Sequence, residues 1–127
     1  MSDLRQRFYI ENSPVRGEVV HLEKALQTIL SQRDYAPAIQ VLLGEMLSAT
    51  ALLASTLKIK GRISLQIQAS GTLKWAMAEC DHNGEVRALA DYEQDPHFSA
   101  AENSSTVLNT LVSPVLFINI GPEFGER

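Results

Sequence analysis

One short segment of the chain carries residue types that can hold a metal ion. Cys80 and His82 are the only cysteine and histidine close together in the sequence, with Asp81 between them. A zinc site needs three or four ligands at recognised spacings, and two residues beside a turn do not supply them. We therefore predict no metal and no cofactor, with Cys80 as a small residue at a strand end and His82 as a solvated turn residue.

Residues suited to acid–base or nucleophilic chemistry are scattered along the chain. Neither His21 nor His97 has a neighbour that suggests a nucleophile–base pair. Two of the acids Asp81, Asp91 and Asp95 could meet in space, as acid–base work requires, but turn capping is the ordinary role of aspartates near turns. Glycine-rich phosphate loops are absent from the sequence. We predict that the chain is not an enzyme.

Arg16, Gly17 and Glu18 place a glycine between opposite charges inside a strand-like run. A glycine within a strand often marks a bulge or a close approach to the backbone. We predict a structural salt-bridge corner here rather than a catalytic pair, because exposed pairs of this kind are common. Arg87 is expected to have a similar structural role.

Length and charge narrow the class of protein. The chain has 127 residues, the size of one domain, and can bury a core without disulfide or metal support. Its formal net charge of -4 argues against nucleic acid and against an anionic membrane, because both select a basic surface. A single cysteine and a polar N-terminus without a signal-peptide core fit a reducing cytoplasm. We predict one cytoplasmic domain over residues 1–127, with neither nucleic acid nor membrane as partner.

The apolar stretch from Ala38 to Leu57 has a composition close to that of a membrane span. Gln40 and Glu45 interrupt it, and a glutamate in the middle of a span is costly. We therefore predict a core helix over about 37–58, apolar around most of its circumference. Before it, two β-rich runs and an amphipathic helix are predicted, the helix with an apolar stripe between Leu22 and Leu30.

After the long helix the apolar period changes to two, which is typical of a strand with one wet face. A hairpin signal at Asn83 and Gly84 then predicts an antiparallel three-strand meander over residues 63–90. Leu73, Trp75 and Met77 alternate with smaller or polar residues in its second strand. The predicted class is α+β, an antiparallel sheet packed against the long apolar helix and the shorter amphipathic one.

The last third of the chain is predicted to end on an apolar strand. A polar loop over 91–103 leads to a short helix that Ser104 or Ser105 would cap, and then to the strand 115–120. A strand this apolar needs neighbours, and an open edge invites pairing with another chain. We expect a homodimer through strand pairing or swapping, and we expect the chain to be the front part of a longer protein.

Several blocks of sequence occur in a recognisable order. They are the aromatic strand 7–11, the Val-Arg-Gly-Glu block 15–18, residues 47–58 of the long Ala/Leu helix, the strand 61–68 and, near the end of the chain, the Gly-Glu-Arg block 125–127. Together they resemble the N-terminal domain of heat-shock protein 33, a family of redox-regulated bacterial holdase chaperones. The resemblance extends in order over nearly the whole chain, from about Arg5 onward.

The resemblance implies an N-terminal α/β core, a helical linker and a small C-terminal zinc domain, whose metal is held by Cys-X-Cys and Cys-X-X-Cys. Oxidation in that family forms disulfides, releases zinc and unfolds the linker, which exposes apolar surface for unfolding clients and allows dimerisation. This sequence contains none of those four cysteines, and Cys80 matches no zinc position. We expect the linker and zinc domain to be absent here, and we therefore do not expect this chain to bind the zinc ion of the family.

A holdase needs no catalytic residues, but it needs apolar surface. The large apolar residues that are hard to assign to one core are Phe8, Tyr9, Ile10, Trp75, Met77, Phe117 and Phe124. Exposed apolar patches usually mark protein–protein binding. We predict that unfolded client proteins bind the meander with the N-terminal strand beside it, through Phe8, Ile10, Trp75 and Met77.

Two other functions are consistent with the sequence. A non-catalytic small-molecule-binding domain, or an enzyme subunit whose partner supplies the chemistry, would have a deep polar pocket with converging acids or histidines. An oligomerisation domain would pair its final strand across a dimer. A flat or grooved apolar surface would favour the chaperone.

Overall fold

The computed structural model describes residues 3–56, 60–94 and 105–122. In chain order its elements are β1 Leu4–Tyr9, β2 Arg16–His21, α1 Glu23–Ser31, α2 Pro37–Thr56, β3 Gly61–Ser70, β4 Leu73–Asp81, β5 Val86–Tyr92, α3 Ser105–Leu108 and β6 Val112–Pro122. The predicted α+β class is confirmed. The predicted features that lie outside the described residues are the helix end at Lys58, most of the loop 91–103 with Asp95 and His97, the Ser104 cap, Phe124 and the block 125–127.

The first two strands form a sheet of their own. β1 pairs antiparallel with β2 in a continuous register, from Leu4 opposite His21 to Tyr9 opposite Arg16. The N-terminal strand therefore does not pair with the meander, although Leu4 and Arg5 line a cavity together with Cys80 and Val86. The strand also ends at Tyr9, so that Ile10 lies in the connection, where its N–H donates to the Val15 carbonyl at 3.1 Å.

The helix α1 is held at its start by a residue distant in sequence. Leu22 occupies the N-cap position and has no side-chain oxygen to offer. Asp3 replaces it, because its two carboxylate oxygens accept from the N–H groups of Lys24 at 2.7 Å and Ala25 at 2.9 Å. The residue before β1 thus caps α1 and fixes the hairpin against the helix.

The long helix α2 lies at the centre of the core, as predicted. Pro37 occupies the first turn, where a missing N–H costs nothing. Ile39, Leu43 and Leu47 are fully buried, and α2 packs mainly against β4, with β5 and β3 on either side. By length and composition α2 could cross a membrane, and it is the single such helix in the described ranges. Its packing on the sheet is that of a core helix.

The remaining four strands form one antiparallel sheet in the order β5-β4-β3-β6. Consecutive hairpins join β3, β4 and β5, which confirms the predicted meander. The last strand returns through a long connection to lie beside β3, so the four strands have a Greek-key order. The sequence predicts that so apolar a strand has neighbours on both sides. Among the described strands β6 has one partner, β3, so the prediction holds for one of its two edges.

The two faces of this sheet differ in character. Cross-strand partners point to the same face of an antiparallel sheet. The face toward α2, which we call the helix side, carries small buried residues on β4 and β5: Ala76, Ala78, Ala88 and Ala90. Small side chains let the helix approach the sheet closely. The opposite face, which we call the outer face, has no described helix packed on it.

A β-bulge decides which residues of β4 reach each face. The register shifts between Leu73, opposite Tyr92, and Trp75, opposite Asp91. An extra residue in one strand reverses the alternation on either side of it. Leu73 is therefore buried on the helix side, whereas Trp75 and Met77 point to the outer face. The alternation seen in the sequence would place these three residues on one face, and the bulge moves Leu73 to the other.

Candidate functional site

The outer face carries a set of apolar side chains from three strands. Met77 on β4 lies directly opposite Leu89 on β5, and Trp75 lies two residues along β4. On the other side of β3, Phe117 of β6 occupies the same row, because Gln66 is the register partner of both Met77 and Phe117. We call Trp75, Met77, Leu89 and Phe117 the outer-face cluster. The first three are half-buried, and Phe117 is 41% exposed.

An ion-paired carboxylate lies next to this cluster. Glu79 is buried, and its Oε2 lies 3.4 Å from Nη2 of Arg87 and 3.7 Å from Nη1 of Arg62. Arg87 is the cross-strand partner of Glu79, so the pair stabilises the β4–β5 ladder. The predicted structural role of Arg87 is confirmed. One end of the outer face is therefore charged and polar, and its middle is apolar.

The charged end of the outer face borders a polar cavity of about 270 Å³, lined by Arg62, Glu79, Asp81, Glu85, Val86 and Arg87. Several of the side chains that line this cavity make ion pairs or hydrogen bonds that stabilise the fold. The Oδ1 of Asp81 accepts from the N–H groups of Asn83 and Glu85, both at 2.9 Å, which confirms turn capping as its role. Two of the acids that line the cavity therefore have structural roles, Glu79 in ion pairs and Asp81 in the turn.

His82 differs from its predicted environment. It was expected to be a solvated turn residue, but it is half-buried. Its backbone N–H donates to the Gly61 carbonyl at 2.8 Å, and its Nδ1 lies 3.1 Å from the Gly61 N–H. The imidazole therefore holds the start of β3 against the end of β4, which is a structural role.

The single cysteine is enclosed on the helix side of the sheet. Cys80 is 1% exposed, and its Sγ donates to the Asp81 carbonyl at 3.4 Å. Burial raises the pKa of its thiol, and the charge of Asp81 adds to this, whereas Arg5 opposes it. Within the described ranges, no three His, Cys, Asp or Glu side chains gather as metal ligands would. The residues of this chain do not fit the zinc site that the resemblance implies.

Gly17 is explained by its cross-strand partner. Phe8 lies directly opposite Gly17, and a Cβ on this glycine would overlap the Phe8 ring. The predicted close approach is confirmed, and no register shift interrupts the β1–β2 pairing. Phe8 therefore covers a glycine of its own hairpin, while 46% of its surface stays exposed.

The salt bridge predicted around Gly17 has a different partner. Glu18 pairs across the hairpin with Arg7, whose Nε lies 3.1 Å from Oε1 of Glu18, and not with Arg16 as expected. Nη2 of Arg7 also donates to the Ser55 carbonyl at 2.8 Å. Ser55 lies in the last turn of α2, where a cation meets unpaired carbonyls and the negative end of the helix dipole. The pair thus attaches the hairpin to α2.

The four predicted client-binding residues fall into two groups. Trp75 and Met77 are neighbours in the outer-face cluster, whereas Phe8 and Ile10 belong to the separate hairpin. Sequence reasoning missed Leu89, although the hairpin centred on Asn83 and Gly84 indicates that it faces Met77. The position of Phe117 depends on β6 returning beside β3, and no local pattern indicates that.

The described residues form an α+β domain in which one face of the four-stranded sheet is apolar in its middle and has no helix packed on it. The family model described as Hsp33 protein matches residues 3–120. The 33 kDa chaperonin of Vibrio parahaemolyticus is 37% identical over 126 residues, and that of Hahella chejuensis is 42% identical over 128 residues. In both comparisons the match covers 99% of this chain and 42% of the relative. The chain belongs to the Hsp33 family and spans about two-fifths of the length of these relatives.

Proposed function

We propose that this chain is the client-binding core of a redox-regulated holdase chaperone of the cytoplasm, which binds unfolding proteins and prevents their aggregation without catalysing a reaction. The observation that carries this proposal is the outer-face cluster, an apolar surface that no described element covers. Its relatives are named 33 kDa chaperonin, which supports a chaperone. Neither nucleic acid nor a membrane is part of the proposal.

The surface suits an unfolded chain better than a folded partner of fixed shape. Unfolded segments expose short apolar stretches in many sequences, so a receptor for them needs apolar area rather than specific polar contacts. Trp75 and Met77 provide a large aromatic and a flexible thioether, side chains that adapt to different partners. Gln66 and Gln68 on β3, half-buried and exposed, place polar side chains between the apolar residues of this face.

We propose that redox control acts on this core from outside it. The 127 residues contain one cysteine, whereas the family switch uses four. Cys80 is buried and its thiol pKa is raised, so it is a poor substitute for a sensor thiolate. The proposed activity of this chain is therefore client binding itself, with zinc and its release belonging to the family's switch.

The first prediction concerns charge on the outer face. Met77→Glu and Leu89→Lys should each weaken suppression of client aggregation by about tenfold, which is roughly 1.4 kcal/mol, because a charge in an apolar contact must be desolvated. Light scattering of a chemically unfolded enzyme, diluted into each variant, measures this. Gln68→Glu adds a charge at a polar position of the same face and should change suppression little. Equal loss in all three variants would show that the apolar positions are not specifically required, which would contradict the proposed surface.

A spectroscopic measurement tests the location directly. Trp75 is the single tryptophan of the chain and lies in the outer-face cluster. Client binding there should shift Trp75 emission to the blue and reduce its quenching by iodide, because the indole leaves water. Tight client binding with unchanged emission and quenching would place the client elsewhere, and the proposed surface would be wrong.

The hairpin residues are a secondary part of the proposal. Ile10 is exposed beside the β1–β2 turn, and Phe8 shows half of its surface on a hairpin face shared with Leu4 and Val19. Ile10→Lys should reduce client binding less than Met77→Glu, because Ile10 lies in the connection beyond the end of β1, whereas Met77 lies within the outer-face cluster. A small-molecule function is less well supported, because both arginines of the polar cavity are already paired with Glu79.

A further inference from the structure

The hairpin of β1 and β2 contributes little to the hydrophobic core. No residue from Leu4 to His21 is buried, whereas the core cluster draws mainly on α2 and the four-stranded sheet. Among the described strands, β1 and β2 pair only with each other. A two-stranded hairpin is at best marginally stable by itself, and segments with few buried apolar contacts open at the lowest free energy. The hairpin therefore depends on a few contacts with the rest of the fold.

A cavity of about 250 Å³ lies between the hairpin and the rest of the fold. Leu4 and Arg5 line it on the hairpin side, and Ala25, Ala51 and Val86 line it on the other side. Atoms that border an unfilled space have no partners across it and lose those dispersion contacts. This side of the hairpin is therefore packed less tightly than a strand of the core.

Cys80 lines the same cavity on the side away from the hairpin, and it is 1% exposed. Burial raises the pKa of its thiol and the positive charge of Arg5 lowers it, so this guanidinium acts on the sulfur from the hairpin side. The hairpin therefore lies between Cys80 and solvent in this direction. Its release would expose the thiol while α2 stays packed on the sheet.

Polar contacts attach the hairpin at two places. Asp3 accepts from the first turn of α1, beside Leu22, which is the single residue between β2 and α1. Farther along the hairpin, Nη2 of Arg7 donates to the Ser55 carbonyl in the last turn of α2 at 2.8 Å. A movement about Leu22 displaces Asp3 least, because Asp3 lies next to the axis, and it separates Arg7 from Ser55.

We propose that the hairpin, residues 3–21, is a flap that opens as one unit while the rest of the fold stays intact. Leu22 is its hinge, and the bond of Arg7 to α2 is the latch that keeps it closed. Opening exposes Cys80 together with the apolar lining of the cavity at Ala51 and Val86. The closed flap therefore covers apolar surface that opening makes available without any covalent change.

Labelling of Cys80 with N-ethylmaleimide tests the opening in the unmodified chain. The labelling rate of the folded chain, divided by that of the urea-unfolded chain, gives the fraction of molecules that expose the thiol. This fraction should exceed the globally unfolded fraction, obtained from urea unfolding, at least about tenfold, because the flap opens at lower free energy than the whole fold. It should also rise less steeply with urea, since opening exposes less surface. Equal fractions with equal urea dependence would overturn the flap.

Two variants separate the latch from the core. Arg7→Met removes a charge-assisted hydrogen bond and should raise the labelling rate about tenfold. Arg16→Met is the matched control on the same hairpin and should leave the rate unchanged, because no hydrogen bond or ion pair among the described residues joins Arg16 to α2. Equal rates in these two variants would remove Arg7 as the latch.

Ile39→Val is the opposite case, because Ile39 lies in the first turns of α2, far along the helix from Ser55. It should raise the globally unfolded fraction roughly three- to tenfold, as loss of a buried methyl group does. Labelling of Cys80 should stay the same, because the open flap keeps the core packed. A labelling rate that rises in step with the unfolded fraction would overturn the flap.

Amide hydrogen exchange tests whether the hairpin opens as one unit. The Ile10 N–H donates to Val15, so Phe8 and Gln6 also bond across to β2. In Ile39→Val, exchange at Phe8 and Gln6 should be unchanged, whereas exchange at Leu43 in α2 should accelerate. Acceleration at all three amides would show that the hairpin and the core open together, and would overturn the flap.

The flap does not depend on the proposed client binding, because labelling and exchange are measured without a client. The open fraction is small, so a brief oxidant treatment leaves the Cys80 thiol of the closed molecule unreacted, and prolonged labelling is needed to detect opening. A chain whose flap opens and which suppresses no aggregation would remove only the proposed chaperone role.

Discussion

At the scale of single residues, Gly17 shows that a local sequence pattern can predict a close contact without identifying the contacting residue. A glycine inside a strand predicts either a bulge or a close approach. The structure shows a close approach and no bulge, and the group that approaches Gly17 is the Phe8 ring. An exposed phenylalanine that looks like a binding residue in the sequence is thus also part of the hairpin's own packing.

This contact leads to a stability prediction. Gly17→Ala should destabilise the fold by about 1–2 kcal/mol, because the added methyl displaces the Phe8 ring. In a Phe8→Ala background the same change should be neutral or slightly stabilising, because alanine restricts the unfolded backbone more than glycine does. Urea unfolding of the four proteins in this double-mutant cycle measures the coupling.

The control for that cycle is a glycine with a different requirement. Gly84 has a φ of 83°, and no atom lies within 4 Å of the position that an alanine methyl group would take there, so Gly84→Ala is strained by its backbone alone. Its cost should be the same with and without the Phe8 ring. If Gly17→Ala also costs the same in both backgrounds, the ring contact is not the reason for the glycine.

At the scale of elements, α1 depends on a cap that its own sequence does not contain. Asp3→Ala should cost about 1 kcal/mol, because the N–H groups of Lys24 and Ala25 lose their acceptors. Amide hydrogen exchange at these two positions should accelerate more than elsewhere in α1. Glu11→Ala, which removes an equal charge at an exposed position outside the strands, is the control. Equal destabilisation by both changes would mean that charge, and not the cap, is what matters.

The elements also show what the sequence could and could not predict. Helix and strand periods follow from side chains a few residues apart, and they predicted α1, α2 and the meander correctly. The bulge after Leu73 adds one residue to one strand, and an alternating sequence of apolar residues does not reveal it. The faces of Trp75 and Leu73 therefore required the structure.

Pairing between segments far apart in the chain is the second feature that the sequence could not predict. Asp3 with Lys24, Arg7 with Ser55, and β6 with β3 join segments far apart in the chain, and no periodicity encodes which partner each segment selects. For the same reason, two of the four outer-face residues were predicted from the sequence, while the other two predicted client-binding residues, Phe8 and Ile10, lie on the separate hairpin. Client binding by all four stays a prediction.

At the scale of the whole molecule, α2 connects two sheets that present apolar surface in different ways. The hairpin is attached to the last turn of α2 through Arg7, and the four-stranded sheet packs along its length. The core is thus shared, while the outer face, the hairpin face and the β6 edge are all open among the described residues. A monomer seldom leaves this much apolar surface exposed unless it binds other proteins.

The last prediction concerns redox state, and it follows from where the single thiol lies. Cys80 faces the helix side and is 1% exposed, and its raised pKa keeps the thiol neutral and unreactive at neutral pH. Aggregation suppression by this chain, measured by light scattering, should therefore be the same with and without hydrogen peroxide or diamide. Because the thiolate is less favourable in the folded than in the unfolded chain, stability should fall as the pH rises above 9.0, the ordinary pKa of a cysteine thiol, and this loss should disappear in Cys80→Ala. Suppression that changes with oxidant in the unmodified chain but not in Cys80→Ala would make Cys80 a sensor and contradict a switch located outside this core.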